Sequence, residues 1–103
     1  MTTAIVAERD LSLATIDRLA AALREALGRG DAVTLDLTHV AGPDLALLQL
    51  VEAGRRQAER DGVDVALAAP AGAALVRALE RAGFTAGFDA TDHDFWFHGD
   101  PPR

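Results

Sequence analysis

Hydrophobic and polar residues follow two periodicities along this chain, which together predict three strands, each followed by a helix. Alternation at every second residue is typical of a strand, and apolar residues three and four apart are typical of one helix face. The strands are predicted at 4–6, 32–37 and 63–67, and the helices at about 13–27, 44–61 and 73–82. Strands and helices that alternate through short connections favour right-handed crossovers. The predicted fold class is therefore α/β, with a central, mostly parallel or mixed β-sheet and helices packed against it.

The connection between the second strand and the second helix is the most informative stretch of the chain. The strand is followed by Gly42-Pro43, a pair that stops regular structure. Asp44 then stands where an N-cap residue would accept a hydrogen bond from the free amides of the first helical turn. A strand that runs through a short loop into a helix N-terminus exposes backbone donors at the edge of a sheet, which is a common location for sites.

The two longer helices differ in the distribution of their apolar residues. The first has one apolar face, which consists of Leu13, Ile16, Leu19, Ala20, Leu23 and Leu27, with charged residues on the other face. The second is apolar almost all round in its first half, through Leu45, Leu47, Leu48, Leu50 and Val51. That half is either covered on both sides or offers an apolar patch to a partner.

The segment 85–103 has a different composition, in which aromatic residues are interspersed with acidic residues and histidines. Within it, Phe95-Trp96-Phe97 is predicted to form either a last strand or an aromatic flap against the sheet edge. Residues 101–103 are expected to form a frayed end. The predicted organisation is one domain at 1–84 and an aromatic, acidic C-terminal extension at 85–103 that packs on the same domain.

Composition and charge narrow the classes of function. A chain of 103 residues suffices for one compact domain, and the absence of cysteine excludes disulfides and thiolate metal sites. Sixteen acidic residues against ten basic ones give a net charge of −6, which disfavours binding to nucleic acid. No apolar stretch approaches the ~20 residues that span a bilayer, and the N-terminus does not resemble a signal peptide. The protein is therefore expected in the cytoplasm and not embedded in a membrane.

The sequence contains little that indicates catalysis. It has no P-loop, no G-x-G-x-x-G and no G-x-S-x-G motif. Oxygen and nitrogen donors that suit a metal site do occur in the extension, namely Asp89, Asp92, His93, Asp94, His98 and Asp100. A metal-binding protein or a small hydrolase that uses these residues is one alternative. The other interpretation, favoured because their spacing fits no metal template, is an acidic, solvent-facing segment whose histidines pack beside aromatic residues.

Residues 4–84 resemble the STAS domain of anti-sigma-factor antagonists and of sulphate-transporter tails. The resemblance rests on short motifs in a specific order, namely Asp36-Leu37-Thr38, Val40, Asp44, Leu48-Gln49-Leu50-Val51, Asp61-Gly62, Ala69-Pro70, Leu75, Leu79, Gly83 and Phe84. The leucine-rich helix after Asp44 also resembles the small STAS subunits that bind ATPases of bacterial lipid-transport ABC systems. The resemblance implies a single small STAS-like domain that docks onto other proteins, with no cofactor and no reaction.

One position departs from the pattern that the resemblance implies. In the antagonists the helix begins with Asp, a Ser or Thr, a small residue and Gly, and a kinase phosphorylates the hydroxyl residue to end binding. Here Asp44 and Ala46 match, but Leu45 stands at the hydroxyl position and Leu47 replaces the glycine. The usual phosphorylation site is therefore missing at Leu45. Thr38 matches a structural position at the end of the strand, where its hydroxyl is expected to bond to the backbone.

Together, the residues and the resemblance predict a non-enzymatic, regulatory protein-interaction module. Its partner-binding surface is predicted in the loop and helix N-terminus around Gly42–Val51, from Thr38, Gly42, Pro43, Asp44, Leu45, Ala46 and Leu48. The expected partner is an anti-sigma factor or related kinase, or a chemotaxis component. As an alternative, the chain is an accessory subunit that binds the ATPase of a lipid-transport ABC system. A homodimer is also left open.

Overall fold

The computed structural model describes residues 1–99, in which strands and helices follow one another in the predicted order. The elements are β1 (Thr2–Val6), α1 (Leu13–Gly28), β2 (Ala32–Asp36), α2 (Leu45–Asp61), β3 (Val65–Leu67), α3 (Ala73–Arg81), a short 3-10 helix (Thr85–Gly87) and α4 (Ala90–Phe97). The predicted elements of the first 82 residues therefore form, with ends shifted by one or two residues. Asp100 and the predicted frayed end at 101–103 lie outside the described residues. None of the helices within 1–99 is long and apolar enough to cross a membrane.

The three strands form one sheet in the order β1-β2-β3, and both neighbouring pairs are parallel. The prediction of a mostly parallel sheet is confirmed, and no antiparallel strand within residues 1–99 makes it mixed. Ala4 pairs with Thr34, and Thr34 pairs with Ala66, so these residues lie level across the sheet. Because both crossovers step in the same direction, the right-handed rule places α1 and α2 on the same face.

Alternate strand residues are buried beneath α1 and α2, and the remaining ones face the other side of the sheet. Ile5, Val33 and Leu35 belong to the buried set. The residues of the other set are exposed on the outer strands and half-buried on the central one. We call this side the open face, and it consists of Thr2, Ala4, Val6, Thr34 and Ala66.

Local capping interactions explain where α1 and α2 begin and end. Ser12 and Thr15 form a capping box, in which the Thr15 N–H donates to Ser12 Oγ at 3.2 Å and the Ser12 N–H donates to Thr15 Oγ1 at 2.7 Å. The Asp44 carboxylate accepts from the Leu47 N–H at 3.0 Å, so the predicted cap of α2 is confirmed. Gly62 follows the last helical residue with φ of 69°, in the left-handed region that favours glycine.

The segment 95–97 forms the last turn of α4, so the prediction of a strand is wrong, whereas the alternative that these aromatic residues pack against the sheet edge agrees with the position of α4 beside β3. Asp89 and Asp92 form a second capping box, with hydrogen bonds of 2.9 and 3.0 Å between carboxylate and backbone N–H, and this favours a helix. Trp96 is fully buried, and its Nε1 donates to Glu52 Oε1 at 3.3 Å. All three aromatic residues belong to the same hydrophobic core as α1, α2 and the sheet.

The helices α1 and α2 approach each other closely at Gly54. This glycine is buried within α2, and an added Cβ would lie 2.5 Å from Cδ2 of Leu23 and 3.4 Å from its Cγ. Leu23 is itself only 3% exposed, so its side chain has little room to move. The close approach therefore requires a residue without a side chain at this position.

Replacing Gly54 by alanine is expected to lower the free energy of unfolding by up to about 2 kcal/mol. Overpacking a core costs about 1–3 kcal/mol, whereas the better helix propensity of alanine returns about 1 kcal/mol. Urea denaturation measures the difference. The matched control is Gly28→Ala at the end of α1, where a Cβ would meet nothing within 4 Å and no loss is expected. A Gly54→Ala protein more stable than wild type would show that the helices lie further apart.

Candidate functional site

The predicted docking residues lie at the carboxyl ends of the parallel strands, where sites in α/β sheets commonly occur. The loops after β1 and β2 meet there, because the Ala41 N–H donates to the Arg9 carbonyl oxygen at 2.9 Å. The exposed members of the predicted set are Thr38, Gly42, Asp44, Leu45 and Ala46. Pro43 and Leu48 are buried, Leu48 completely, so they support this surface from beneath and do not reach a partner.

The first turn of α2 divides its leucines between the core and the surface. Asp44 holds this turn through the Leu47 N–H, and both Leu47 and Leu48 are fully buried. Leu45 lies in the same turn and remains 51% exposed. The apolar first half of α2 is therefore mostly core, and it leaves one leucine at the surface.

A second exposed leucine lies at the first residue of α1. Leu13 is 81% exposed although it belongs to the apolar face of α1, so this face is not covered at its first turn. Burial increases along the helix, because Ile16 is half-buried and Leu19 is buried. The sequence does contain a feature that relates Leu13 to Leu45. In both longer helices a leucine directly follows the N-cap residue, as Ser12-Leu13 and as Asp44-Leu45.

The two exposed leucines lie at the same end of the domain. The contact between Leu23 and Gly54 sets the level of α1 against α2. The two helices run in the same direction. Leu13 lies ten residues before Leu23, and Leu45 lies nine residues before Gly54. Measured along the helix axes from the contact, the two first turns therefore lie at nearly the same distance. We call this surface the docking end, and it consists of Leu13, Thr38, Gly42, Asp44, Leu45 and Ala46.

Thr38 is tied to Asp36 at the end of β2. Its hydroxyl and its N–H both donate to Asp36 Oδ1, at 2.5 and 2.9 Å. These two hydrogen bonds lower the pKa of Asp36 below its ordinary value, because they stabilise the charged form. The expected hydrogen bond from the Thr38 hydroxyl to the backbone is wrong, and a carboxylate takes that place.

Exposed carboxylates lie near each of the two leucines in the sequence. Asp10, Asp17 and Asp44 are exposed and form no ion pair with any residue of the described chain. Glu8 differs, because Arg18 donates to it twice, at 2.9 and 3.0 Å, and these bonds lower the pKa of Glu8. The docking end therefore combines two exposed leucines, one on each helix, with exposed carboxylates.

An apolar cavity of about 280 Å³ adjoins the docking end, between the loop after β2 and the loop before α3. Thr38 and Pro43 belong both to the cavity wall and to the predicted partner-binding residues. The remaining lining residues are mostly aliphatic, namely Leu37, Val40, Leu47, Leu67, Ala69, Pro70, Ala71, Gly72, Ala73, Ala74 and Leu75. A cavity of this character accepts an apolar side chain more readily than a charged one.

The acidic residues of the C-terminal segment attach α4 to α2. Arg55 donates to Glu52 Oε1 at 2.7 Å and to Asp92 Oδ1 at 3.0 Å, and its guanidinium carbon lies 4.3 Å from the ring centre of Phe95. Partial burial raises the pKa of Asp92, but hydrogen bonds from the Asp89 backbone and from Arg55 outweigh this and leave the pKa below its ordinary value. These groups serve packing and capping.

The two histidines of the same segment also make structural contacts. His98 Nε2 lies 3.0 Å from the carbonyl oxygen of Leu67. The His93 ring packs against Phe88 and Phe97, with ring centres 5.8 and 5.7 Å apart, so the interpretation of a histidine beside aromatic residues is confirmed here. In the part of the chain that the structure describes, no three or more histidine, aspartate and glutamate side chains converge to hold a metal ion.

Most of the chain matches a known protein family. The family described as "Mlab, STAS domain" matches residues 2–88, which include the three strands, α1 to α3 and the whole docking end. Helix α4 follows the matched range. A search of curated proteins finds no match.

Proposed function

The chain belongs to the STAS domain family, and we propose that it is a regulatory protein-interaction module that binds its partner with the docking end. STAS domains in general act by binding other proteins. In this role the domain needs no reaction and no cofactor. The protein acts in the cytoplasm, where kinases of the anti-sigma class and the ATPases of ABC systems also act.

The exposure of Leu13 and Leu45 supports this proposal most strongly. They leave 81% and 51% of their surface in water at one end of the domain. Removing apolar surface from water stabilises a complex by about 25 cal/mol per Å². Both residues stand on helices that are already ordered, so binding does not have to order a loop around them.

The exposed carboxylates support a partner with a basic surface. Asp10 and Asp17 lie within four residues of Leu13, Asp44 directly precedes Leu45, and the chain as a whole carries a net charge of −6. Lysine or arginine residues around an apolar contact would complement these carboxylates and accelerate association. We therefore propose a partner that offers an apolar side chain, for Leu45 or the adjoining cavity, within a basic surrounding.

Replacing Leu45 by glutamate is expected to weaken partner binding at least about 30-fold. A central interface residue contributes about 2 kcal/mol or more, and a tenfold change corresponds to about 1.4 kcal/mol. Leu13→Glu should act in the same direction. Calorimetric titration measures the affinity of the purified chain for two candidates from the same genome, an anti-sigma-factor kinase and the ATPase of a lipid-transport ABC system.

The matched control is Ala53→Glu, which adds the same charge at an exposed position two turns further along α2. This variant should bind as wild type does, and thermal melts should show that all three variants are folded. Binding to the ATPase but not to the kinase would favour the accessory-subunit alternative. If both leucine variants bind a partner as tightly as wild type does, the docking end is not the interface.

We further propose that binding is constitutive and is not switched by phosphorylation of this loop. Leu45 has no oxygen that can carry a phosphate. A phosphate on Thr38 would place about −1.5 to −2 charges beside the Asp36 carboxylate, which the lowered pKa keeps ionised. Incubation with the kinase and ATP should leave the intact mass unchanged, whereas Leu45→Ser should gain one phosphate if the kinase recognises the loop. A stoichiometric phosphate on wild-type Thr38 would contradict the proposal.

A further inference from the structure

The two edges of the sheet differ in what lies against them. At the β3 edge, α4 lies beside the strand and His98 Nε2 is 3.0 Å from the carbonyl oxygen of Leu67. At the β1 edge, no strand within residues 1–99 pairs with the outer side of β1. The β1 edge is therefore bare in the described part of the chain.

Half of the backbone groups of β1 point away from the sheet. The Ala32 N–H donates to the Met1 carbonyl oxygen at 3.1 Å, and the Ala7 N–H donates to the Asp36 carbonyl oxygen at 2.9 Å. In a parallel pair, alternate residues of a strand bond to the neighbouring strand, so residues 1, 3, 5 and 7 bond to β2. The outward N–H and C=O groups are those of Thr2, Ala4 and Val6.

The β1 edge has none of the features that usually prevent edge-to-edge association. Such features are charged side chains, proline, bulges and covering segments. Residues 2–6 read TTAIV, without a charge or a proline, and their register with β2 is continuous. The exposed apolar residues Met1 and Val6, at 98% and 59% exposure, lie at the two ends of this strand.

We propose that β1 pairs antiparallel with β1 of a second copy of this chain, in a register centred on Ala4. Ala4 then faces its own counterpart, and Thr2 faces the counterpart of Val6. Each facing pair exchanges two backbone hydrogen bonds, because its N–H and C=O groups point across the junction. All the outward groups of both strands are thereby satisfied, and the two sheets become one continuous sheet.

Symmetry favours a second copy over an unrelated strand as the occupant of this edge. Two identical antiparallel strands are related by a two-fold axis, so one edge supplies every donor and acceptor that its copy requires. The small Ala4 side chain on the axis allows close approach, and no charged side chain between residues 1 and 7 repels its counterpart. A contact through a strand this short is smaller than a standard interface, so dissociation in the micromolar range or weaker is expected.

Sedimentation equilibrium from micromolar to millimolar protein tests this pairing. The average mass of wild type should rise from 10.8 kDa toward twice that value as concentration increases. Ala4→Lys places two like charges opposite each other on the axis and should weaken the dimer at least about tenfold. Ala4→Pro should act similarly, because it removes an outward N–H without removing a hydrogen bond to β2.

The matched control is Ala66→Lys, which adds the same charge to the open face. Ala66 is exposed and lies level with Ala4, but on β3, two strands away from the β1 edge. It should dimerise as wild type does. Ala4→Lys and Ala4→Glu should each dimerise more weakly than wild type alone and should associate more strongly when they are mixed. A wild type that stays monomeric, a dimer that Ala4→Lys leaves unchanged, or a mixture that does not associate would each overturn the pairing. Leu45→Glu should dimerise normally, so this test is independent of the docking end.

Discussion

Replacing Trp96 by alanine is expected to lower the free energy of unfolding by about 3–5 kcal/mol. The side chain is fully buried in the common core, and its indole N–H bonds to Glu52. The substitution removes this hydrogen bond and leaves a cavity beneath α4. Because small domains are stable by only about 5–15 kcal/mol, the variant should lose a large part of its stability.

Urea denaturation followed by far-ultraviolet circular dichroism measures this loss without the tryptophan signal. The control is Leu13→Ala, which truncates a large apolar side chain that is 81% exposed and should change stability by less than about 0.5 kcal/mol. A Trp96→Ala protein within about 1 kcal/mol of wild type would mean that α4 does not belong to the core.

Replacing Leu48 by glutamate is expected to unfold the domain, whereas Leu45→Glu in the same helix should leave it folded. Leu48 is completely buried, so an ionised carboxylate there would lose its hydration without gaining a partner, at a cost of several kcal/mol. Leu45 is half exposed, and a glutamate at the first helical residue can stay in water near the positive end of the helix dipole. The two substitutions are chemically identical and lie three residues apart.

A thermal melt of each variant provides the comparison. Leu48→Glu should show no cooperative transition at neutral pH, and Leu45→Glu should melt within a few degrees of wild type. A cooperative, near-wild-type melt of Leu48→Glu would contradict the burial of this leucine. If the Leu45→Glu variant is unfolded, the exposure of Leu45 is contradicted. A loss of binding by that variant would then not test the docking end.

The helix boundaries were predictable because they depend on neighbours within a few residues. Asp44 caps α2 through an amide three positions away, and Gly62 ends the same helix through its own φ angle. Helix α4 was missed even though its signal is also local. The capping box between Asp89 and Asp92 lies within a run of acidic residues, and three successive aromatic residues match neither the strand period nor the helix period.

The docking end was predictable in part. Asp44 and Leu45 follow from the strand, loop and helix pattern, and the absence of a hydroxyl at position 45 is visible in the sequence. The exposure of Leu13 does not follow from the sequence, because periodicity assigns a residue to a helix face but does not say how far along the helix that face is covered. Leu48 belongs to the predicted set although it is fully buried, because all the leucines of an apolar helical turn look alike in sequence.

The order of strands and helices, a mostly parallel or mixed sheet, the family resemblance and the absence of the usual hydroxyl can be read from the sequence, because they depend on local pattern and on residue identity. Which leucines remain in water, the burial of Trp96 in the core and the bare β1 edge follow only from the folded chain. Burial depends on segments that lie far apart in the sequence, as Trp96 and Glu52 show at a separation of 44 residues.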